Sequence, residues 1–252
     1  MDETKQRYGT ALIKAVSILD FLLSCEEPQA LHIIAKNTGL TNSTALKILE
    51  TLLSVGYVNR DADLKKFELG SGIIRYAQKA VYNLEIKRIA QPYLEELQRI
   101  TAETVHLGIH SQGFIYYVTK IDTKKAICHQ SIIGRQLPMY CSAMGKAILA
   151  AMPDDEIEAY LNETPLIRFT DNTFTNRSDF LKEIEKIRRV GYSIDNAEHE
   201  EDVCCIGASI TNNGETFGAI SVSIPLYRLS EELKSKVING IIECKQKIVA
   251  NQ

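Results

Sequence analysis

Asn42, Ser43, Thr44, Lys47 and Thr51 recur at helical spacing after Thr41, so short hydrogen-bonding side chains and one cation share a face. Such a face can offer donors and acceptors to base edges in a major groove and positive charge to the flanking phosphates. The other side of the same segment carries Ala45, Leu46, Leu49, Leu52 and Leu53, an apolar stripe of the kind a helix buries.

The elements that must hold this face are legible on either side of it. After His32, the residues Ile33, Ile34 and Ala35 fill a turn of a preceding helix, and Gly39 stands where a helix ends in a left-handed residue. Leu40 tucks back, and Thr41 or Asn42 caps the second helix by accepting a hydrogen bond from its first N–H groups. Helix, glycine turn and polar-faced helix form a helix-turn-helix pattern, with an ordinary helical hairpin in some other core as the competing reading. Downstream, Gly56 breaks the helix, Tyr57-Val58 begins a strand, Asp61 to Lys65 turns, and Lys66 to Leu69 alternates as a second strand. A hairpin in that place is a wing, and Arg60, Lys65 and Lys66 at its tip are placed to meet phosphates or a minor groove. Upstream, Thr10 caps a helix whose Leu12, Ala15, Val16, Leu19, Leu22 and Leu23 would pack across the pair.

Nucleophilic and metal chemistry find weaker support. Cys141 or Cys205 could act with His106, His110 or His199 as base, but no local signature activates either thiol. The cysteines at 25, 128, 141, 204, 205 and 244 include no CxxC pair, so no zinc or disulfide framework is expected. His106 and His110 lie in strand-like surroundings without a shared helix face, and Glu198 to Asp202 reads as a solvated loop rather than a cation site. No metal and no cofactor is expected.

The chain has 252 residues, 45% of them hydrophobic and 24% charged, ordinary values for one large or two smaller globular domains. Its net charge is −3, which argues against holding nucleic acid by bulk positive charge. No apolar run approaches the roughly 20 residues of a membrane helix, and the first residues are polar, so a cytoplasmic protein without membrane contact is expected.

Gly70, Ser71 and Gly72 read as a hinge-like break, followed by a helix from Ile73 to Ala80 and a longer one from Leu84 to Ile100 with Pro92 as a kink. Strands are expected over Val105–Ile109, Phe114–Thr119 and Ala126–Ile133, with Gly134 to Pro138 ending the run. Small residues from Met139 lead into an apolar helix, and surface helices cover Asp154–Leu161 and Ser178–Gly191. Strands return at Tyr192–Asp195, Cys204–Thr211 and Phe217–Ile224, and a helix over Ser230–Ala250 ends the chain. Neighbouring hairpins with helices on one face describe an α+β domain around an antiparallel sheet.

Several separate stretches resemble the IclR family of bacterial transcriptional regulators. They are Ala30 to Leu53 with Gly56-Tyr57-Val58, Phe67 to Gly70, Glu103 to Gly108, Gly134 to Ala150, Gly191-Tyr192 and Ser221 to Ser223. The resemblance implies a winged helix-turn-helix over residues 1–70, a linker helix over 71–83, and over 84–252 a GAF/PAS-like domain for effector binding and oligomerisation. It also implies a dimer or tetramer on double-stranded operator DNA, more a repressor than an activator, responding to a small organic acid such as a sugar acid. Thr41, Asn42, Ser43, Thr44, Lys47, Arg60, Lys65 and Lys66 would then face DNA. Carried over by position, the pocket would include Leu137 and Val203 as apolar wall, the turn Ser142, Ala143, Met144 and Gly145, and Asp195, Cys205, Ser221 and Ser223. Free N–H groups at a helix start suit a carboxylate, and hydroxyls with one acid suit its hydroxyl or keto end. Met144 replaces a usual glycine or alanine, Lys47 a usual arginine, and Ala208-Ser209 a usual alanine-proline step. The alternatives are an enzyme on the C-terminal domain and a constitutive DNA-binding dimer without effector.

Overall fold

The computed structural model describes residues 9–61, 65–82, 84–125, 133, 134 and 136–252. They divide into two compact units, up to residue 83 and from Leu84 onward.

In the first unit α1 (Thr10–Leu23), β1 (Gln29–Ala30), α2 (Leu31–Thr38) and α3 (Asn42–Ser54) precede the hairpin β2 (Val58–Arg60) and β3 (Lys66–Leu69), and α4 (Ile74–Tyr82) follows. Gly39 ends α2 with φ of 66°, and the Leu40 N–H donates to Ala35 O at 2.9 Å, which turns the chain into α3. Ile18, Leu22, Ile34, Ala35, Ala45, Leu49, Leu52, Val58 and Phe67 form the core. The short β1 pairs with β3 and completes a three-stranded sheet, an addition too brief to show as alternation.

Two expectations for this unit are corrected. The face α1 buries is centred on Ile18 and Leu22, whereas Leu12, Val16 and Leu23 are 70%, 46% and 63% exposed. Apolar residues surround that helix, so spacing alone did not select the inward side, and its cap position is Gly9 rather than Thr10. Residues 70–72 are a close-packed junction and no hinge. The Gly70 N–H donates to Tyr57 O at 2.7 Å and the Gly72 N–H to Gly56 O at 2.9 Å, and a Cβ on Gly70 would lie 2.3 Å from Gly56 O. Leu46, expected in the apolar stripe of α3, is 37% exposed.

The second unit begins with α5 (Glu85–Thr101), which runs on through Pro92. It continues with β4 (Thr104–Ser111), β5 (Phe114–Ile121), β6 (Gln136–Pro138), α6 (Ala143–Ala151), α7 (Asp154–Glu163), α8 (Arg177–Val190), β7 (Ser193–Asn196), β8 (Val203–Asn212), β9 (Glu215–Pro225) and α9 (Glu231–Val249). The six strands form one antiparallel sheet in the order β6-β5-β4-β9-β8-β7. The strand expected over Ala126–Ile133 falls almost wholly on residues 126–132, outside the described residues. The stretch expected to end the run instead supplies β6, where Leu137 pairs with Ile115.

Helices cover both faces of this sheet, not one. Leu94 and Leu97 of α5 and Val237, Ile241 and Ile248 of α9 pack with Val105, Leu107, Ile206, Ile220 and Val222. On the other face Met144 and Ile148 of α6 and Phe180, Ile184 and Ile187 of α8 pack with Ile115, Tyr117 and Ala219. The central strands β4, β8 and β9 are therefore apolar on both sides and lack a strict period of two.

Candidate functional site

The polar face of α3 stands at the surface. The Thr41 hydroxyl caps the helix, accepting from the Thr44 N–H at 3.3 Å, and lies 3.2 Å from the Ser43 hydroxyl. Thr41, Asn42, Ser43, Lys47 and Thr51 are exposed and Thr44 is half-buried. No acidic residue occupies the first turn, so the positive end of the helix dipole is unopposed there. Thr51 is turned to its own helix, donating to Lys47 O at 3.0 Å. In the wing, Lys65 is exposed with φ of 51° and Lys66 is half-buried. Arg60 lies over the Phe67 ring at 5.4 Å and 3.5 Å from the Glu50 carboxylate, so it fastens the wing to α3. Asn42 and Lys47 have no side-chain partner among the described residues.

In the second unit the ends of β5, β6, β7 and β8 surround a narrow, tightly closed cleft lined by Tyr117, Leu137, Asp195, His199, Glu200, Val203 and Cys205. Four residues named from the sequence, Leu137, Asp195, Val203 and Cys205, are brought together here. Ser223 stands behind them, its hydroxyl 3.2 Å from Cys205 Sγ and 3.4 Å from His106 Nδ1. The His106 ring stacks on Tyr117 with centroids 4.5 Å apart. Ser221 is buried on the same strand, paired with His106 and Gly207. Ser142, Ala143, Met144 and Gly145 do not line the cavity. Ser142 caps α6 through the Gly145 N–H at 3.2 Å, Ala143 O accepts from the Ser193 hydroxyl at 2.5 Å, and Met144 packs on Gly108.

Asp195 is 6% exposed, and burial together with the Glu198 charge raises its carboxyl from 3.8 to about 7. Near neutral pH it is therefore poised between acceptor and donor. Burial and the Asp195 charge likewise push the Cys205 and Cys141 thiols up, away from the thiolate a nucleophile requires.

Beneath the cavity lies a buried ion cluster that the sequence reading did not foresee. Lys146 is fully buried in α6, and its ammonium donates to the Glu198 carboxylate and to Ile194 O at 2.6 Å, with Glu183 at 3.9 Å and the Phe174 ring at 5.1 Å. Glu198 is thus buried and paired, which corrects its expected place in a solvated loop. Its N–H donates to Asp195 Oδ1 at 2.7 Å, and the Thr170 and Thr173 hydroxyls donate to Ala197 O and Glu198 O, each at 2.6 Å. The Phe169 ring stands 4.9 Å from that of His199. This loop therefore presents Asp195, His199 and Glu200 from a clamped backbone. An apolar run around Lys146 hid it, although a lone lysine followed by Ala147, Ile148 and Leu149 is the signal that could have exposed it.

A winged helix-turn-helix joined in one chain to an α+β unit with a walled cavity defines the class of DNA-binding transcriptional regulators. The model described as "IclR helix-turn-helix domain" matches residues 11–62, and "Bacterial transcriptional regulator IclR C-terminal" matches residues 78–250. The chain belongs to the IclR family, whose members are regulators and not enzymes. It is 30% identical to the HTH-type transcriptional regulator KdgR of Escherichia coli over 96% of this chain and 92% of that protein. It is 27% identical to the HTH-type transcriptional repressor AllR of the same species, over 90% and 84%. Among solved structures, the Thermotoga maritima IclR superposes with a TM-score of 0.72 at 31% identity, covering 96% of this chain and 98% of that one. An IclR homologue from Microbacterium hydrocarbonoxydans, solved in complex with 4-hydroxybenzoate, shares the fold with a TM-score of 0.78 at 22% identity, over 96% and 98%.

Proposed function

We propose that this chain is a cytoplasmic repressor whose operator affinity is set by a small organic acid, a sugar acid being the leading class, bound in the C-terminal unit. In this reading residues 1–70 bind DNA, 71–83 link, and 84–252 bind effector and self-associate. The observation that carries it is the cavity in which Asp195, Cys205 and Tyr117 face Leu137 and Val203. A carboxyl that holds its proton to about 7 can donate to a ligand oxygen instead of repelling it, which suits an acid despite Glu200 in the same wall. The 4-hydroxybenzoate in the Microbacterium homologue is also a carboxylate, and AllR is named a repressor.

Asn42, Ser43, Thr44 and Lys47 are the base- and phosphate-facing set, with Lys65 and Lys66 on the wing and Arg60 holding it. Two heads per operator call for a dimer. Leu12, Val16, Leu19 and Leu23 on α1 follow the alternating four- and three-residue spacing of a helix–helix seam, and three of them are exposed, which supports self-pairing there.

The test is fluorescence anisotropy on DNA from upstream of the gene, titrated with sugar acids and aromatic acids. One acid is expected to shift operator affinity at least fivefold in wild type, with Asp195→Ala and Ser223→Ala losing the shift but keeping DNA binding. Calorimetry showing that acid bound equally well by both variants rejects the pocket assignment.

A further inference from the structure

A second recess on the C-terminal unit, with room for about 210 Å³, lies where α6, α8 and α9 meet the outer end of β8. Its walls are light, with Ala147, Ala150, Ala151 and Gly191 leaving the room that larger side chains would take. No carboxylate lines it, in contrast to the cavity holding Asp195 and Glu200.

Of its polar side chains, Arg188 and Thr211 have partners, Thr211 at 3.3 Å from the Thr216 hydroxyl, and Lys245 and Ser209 have none among the described residues. Lys245 of α9 is half-buried, burial holds its ammonium below the usual lysine range, and no described residue pairs with it. The Ser209 residue is 7% exposed, and its hydroxyl has no hydrogen-bond partner among the described residues. Strand β7 covers β8 only as far as the pair Ser193 and Gly207, and the Ser193 hydroxyl donates to Gly207 O at 3.2 Å on that side. The strand period of two turns the Ser209 amide toward the same side, past the end of β7, where no strand meets it. Arg188 does not supply the charge. Its guanidinium donates to Ala150 O at 3.0 Å and Met152 O at 2.8 Å and is paired with Asp154 and Glu185, so it offsets the negative end of α6. What remains is one unpartnered ammonium beside the Ser209 hydroxyl and a strand amide past the end of β7.

We propose that this recess is a second ligand site, separate from the effector cavity, that takes a small oxyanion with Lys245 as counter-charge and Ser209 as hydrogen-bond donor. An unpaired ammonium in a partly buried place is unfavourable until an anion joins it, and hydroxyl and amide donors favour oxygen over halide.

The experiment is thermal unfolding of the full chain titrated with acetate and with inorganic phosphate, ionic strength held constant with chloride. A saturable rise in Tm with either anion is expected. Lys245→Met should need at least tenfold more anion for the same rise while melting no lower than wild type without anion, and Asp195→Asn should respond as wild type does. Ala150→Leu, which fills the recess without altering charge, should abolish the rise and serves if the lysine variant folds poorly. No saturable rise with either anion, or an equal rise in Lys245→Met, overturns the proposal.

Discussion

Lys47 and Asp195 carry the two charges on which the proposed function turns. Lys47 is exposed on α3 with no side-chain partner among the described residues, so Lys47→Ala should leave Tm unchanged, weaken operator binding, and reduce the slope of log K against log salt by about 1. Salt-titrated anisotropy reads both; an unchanged slope would place Lys47 off the phosphates. Native Asp195 keeps its proton to about pH 7, whereas in the unfolded chain it is lost near 3.8. Between those values the native state binds more protons, so stability falls as pH rises. Glu198, also raised by burial, acts with the same sign. Asp195→Asn should therefore flatten the decline without abolishing it, measured as urea midpoints from pH 4 to 7.5; an unchanged slope would mean that Asp195 ionises normally. Asn42 to Lys47 were legible because a helix places its faces by local spacing. Asp195 was named from the resemblance, but its protonation depends on Glu198 and Lys146, which the fold alone brings beside it.

At the level of elements, the ion cluster ties α6 to the loop after β7. Lys146→Met leaves Glu198 buried without its cation, while Glu183 keeps Lys186 at 3.1 Å, and should cost about 3–5 kcal/mol, whereas Lys146→Met with Glu198→Leu should recover most of it. Equilibrium urea unfolding decides this, and a mild single variant would show that water reaches the cluster. Gly70→Ala should destabilise the N-terminal unit by about 1–3 kcal/mol through its contact with Gly56 O, since φ of −91° is open to alanine. The helices and hairpins were readable because caps, glycines and turns act over a few residues: Gly39, Thr41, Gly191 and the Asn213-Gly214 turn all fall where chemistry places them. The inward side of α1 and the two-sided cover of the sheet were not. Both depend on which distant surfaces meet, and an all-round apolar helix or strand carries no period to announce it.

Across the whole molecule, control of DNA by an acid must be reciprocal. If a ligand lowers operator affinity by some factor, saturating operator must lower ligand affinity by the same factor, which calorimetry with and without DNA can check. Unequal factors would mean that the two events are not linked through one equilibrium. Replacing Leu12, Val16 and Leu23 together by serine should leave the core of Ile18 and Leu22 intact and shift self-association of the chain by tenfold or more, read by sedimentation.

The glycines at 56, 70 and 72 bring the end of α3, the wing and the start of α4 into backbone contact, with no side chain between them to act as a cushion. Such a joint has no play. A displacement at the base of α4 would meet the Gly56 carbonyl with no side chain between to absorb it. A methyl group added at position 70 or 72 would have to push that carbonyl aside, whereas position 56 has room and is held to glycine only by its left-handed φ of 74°.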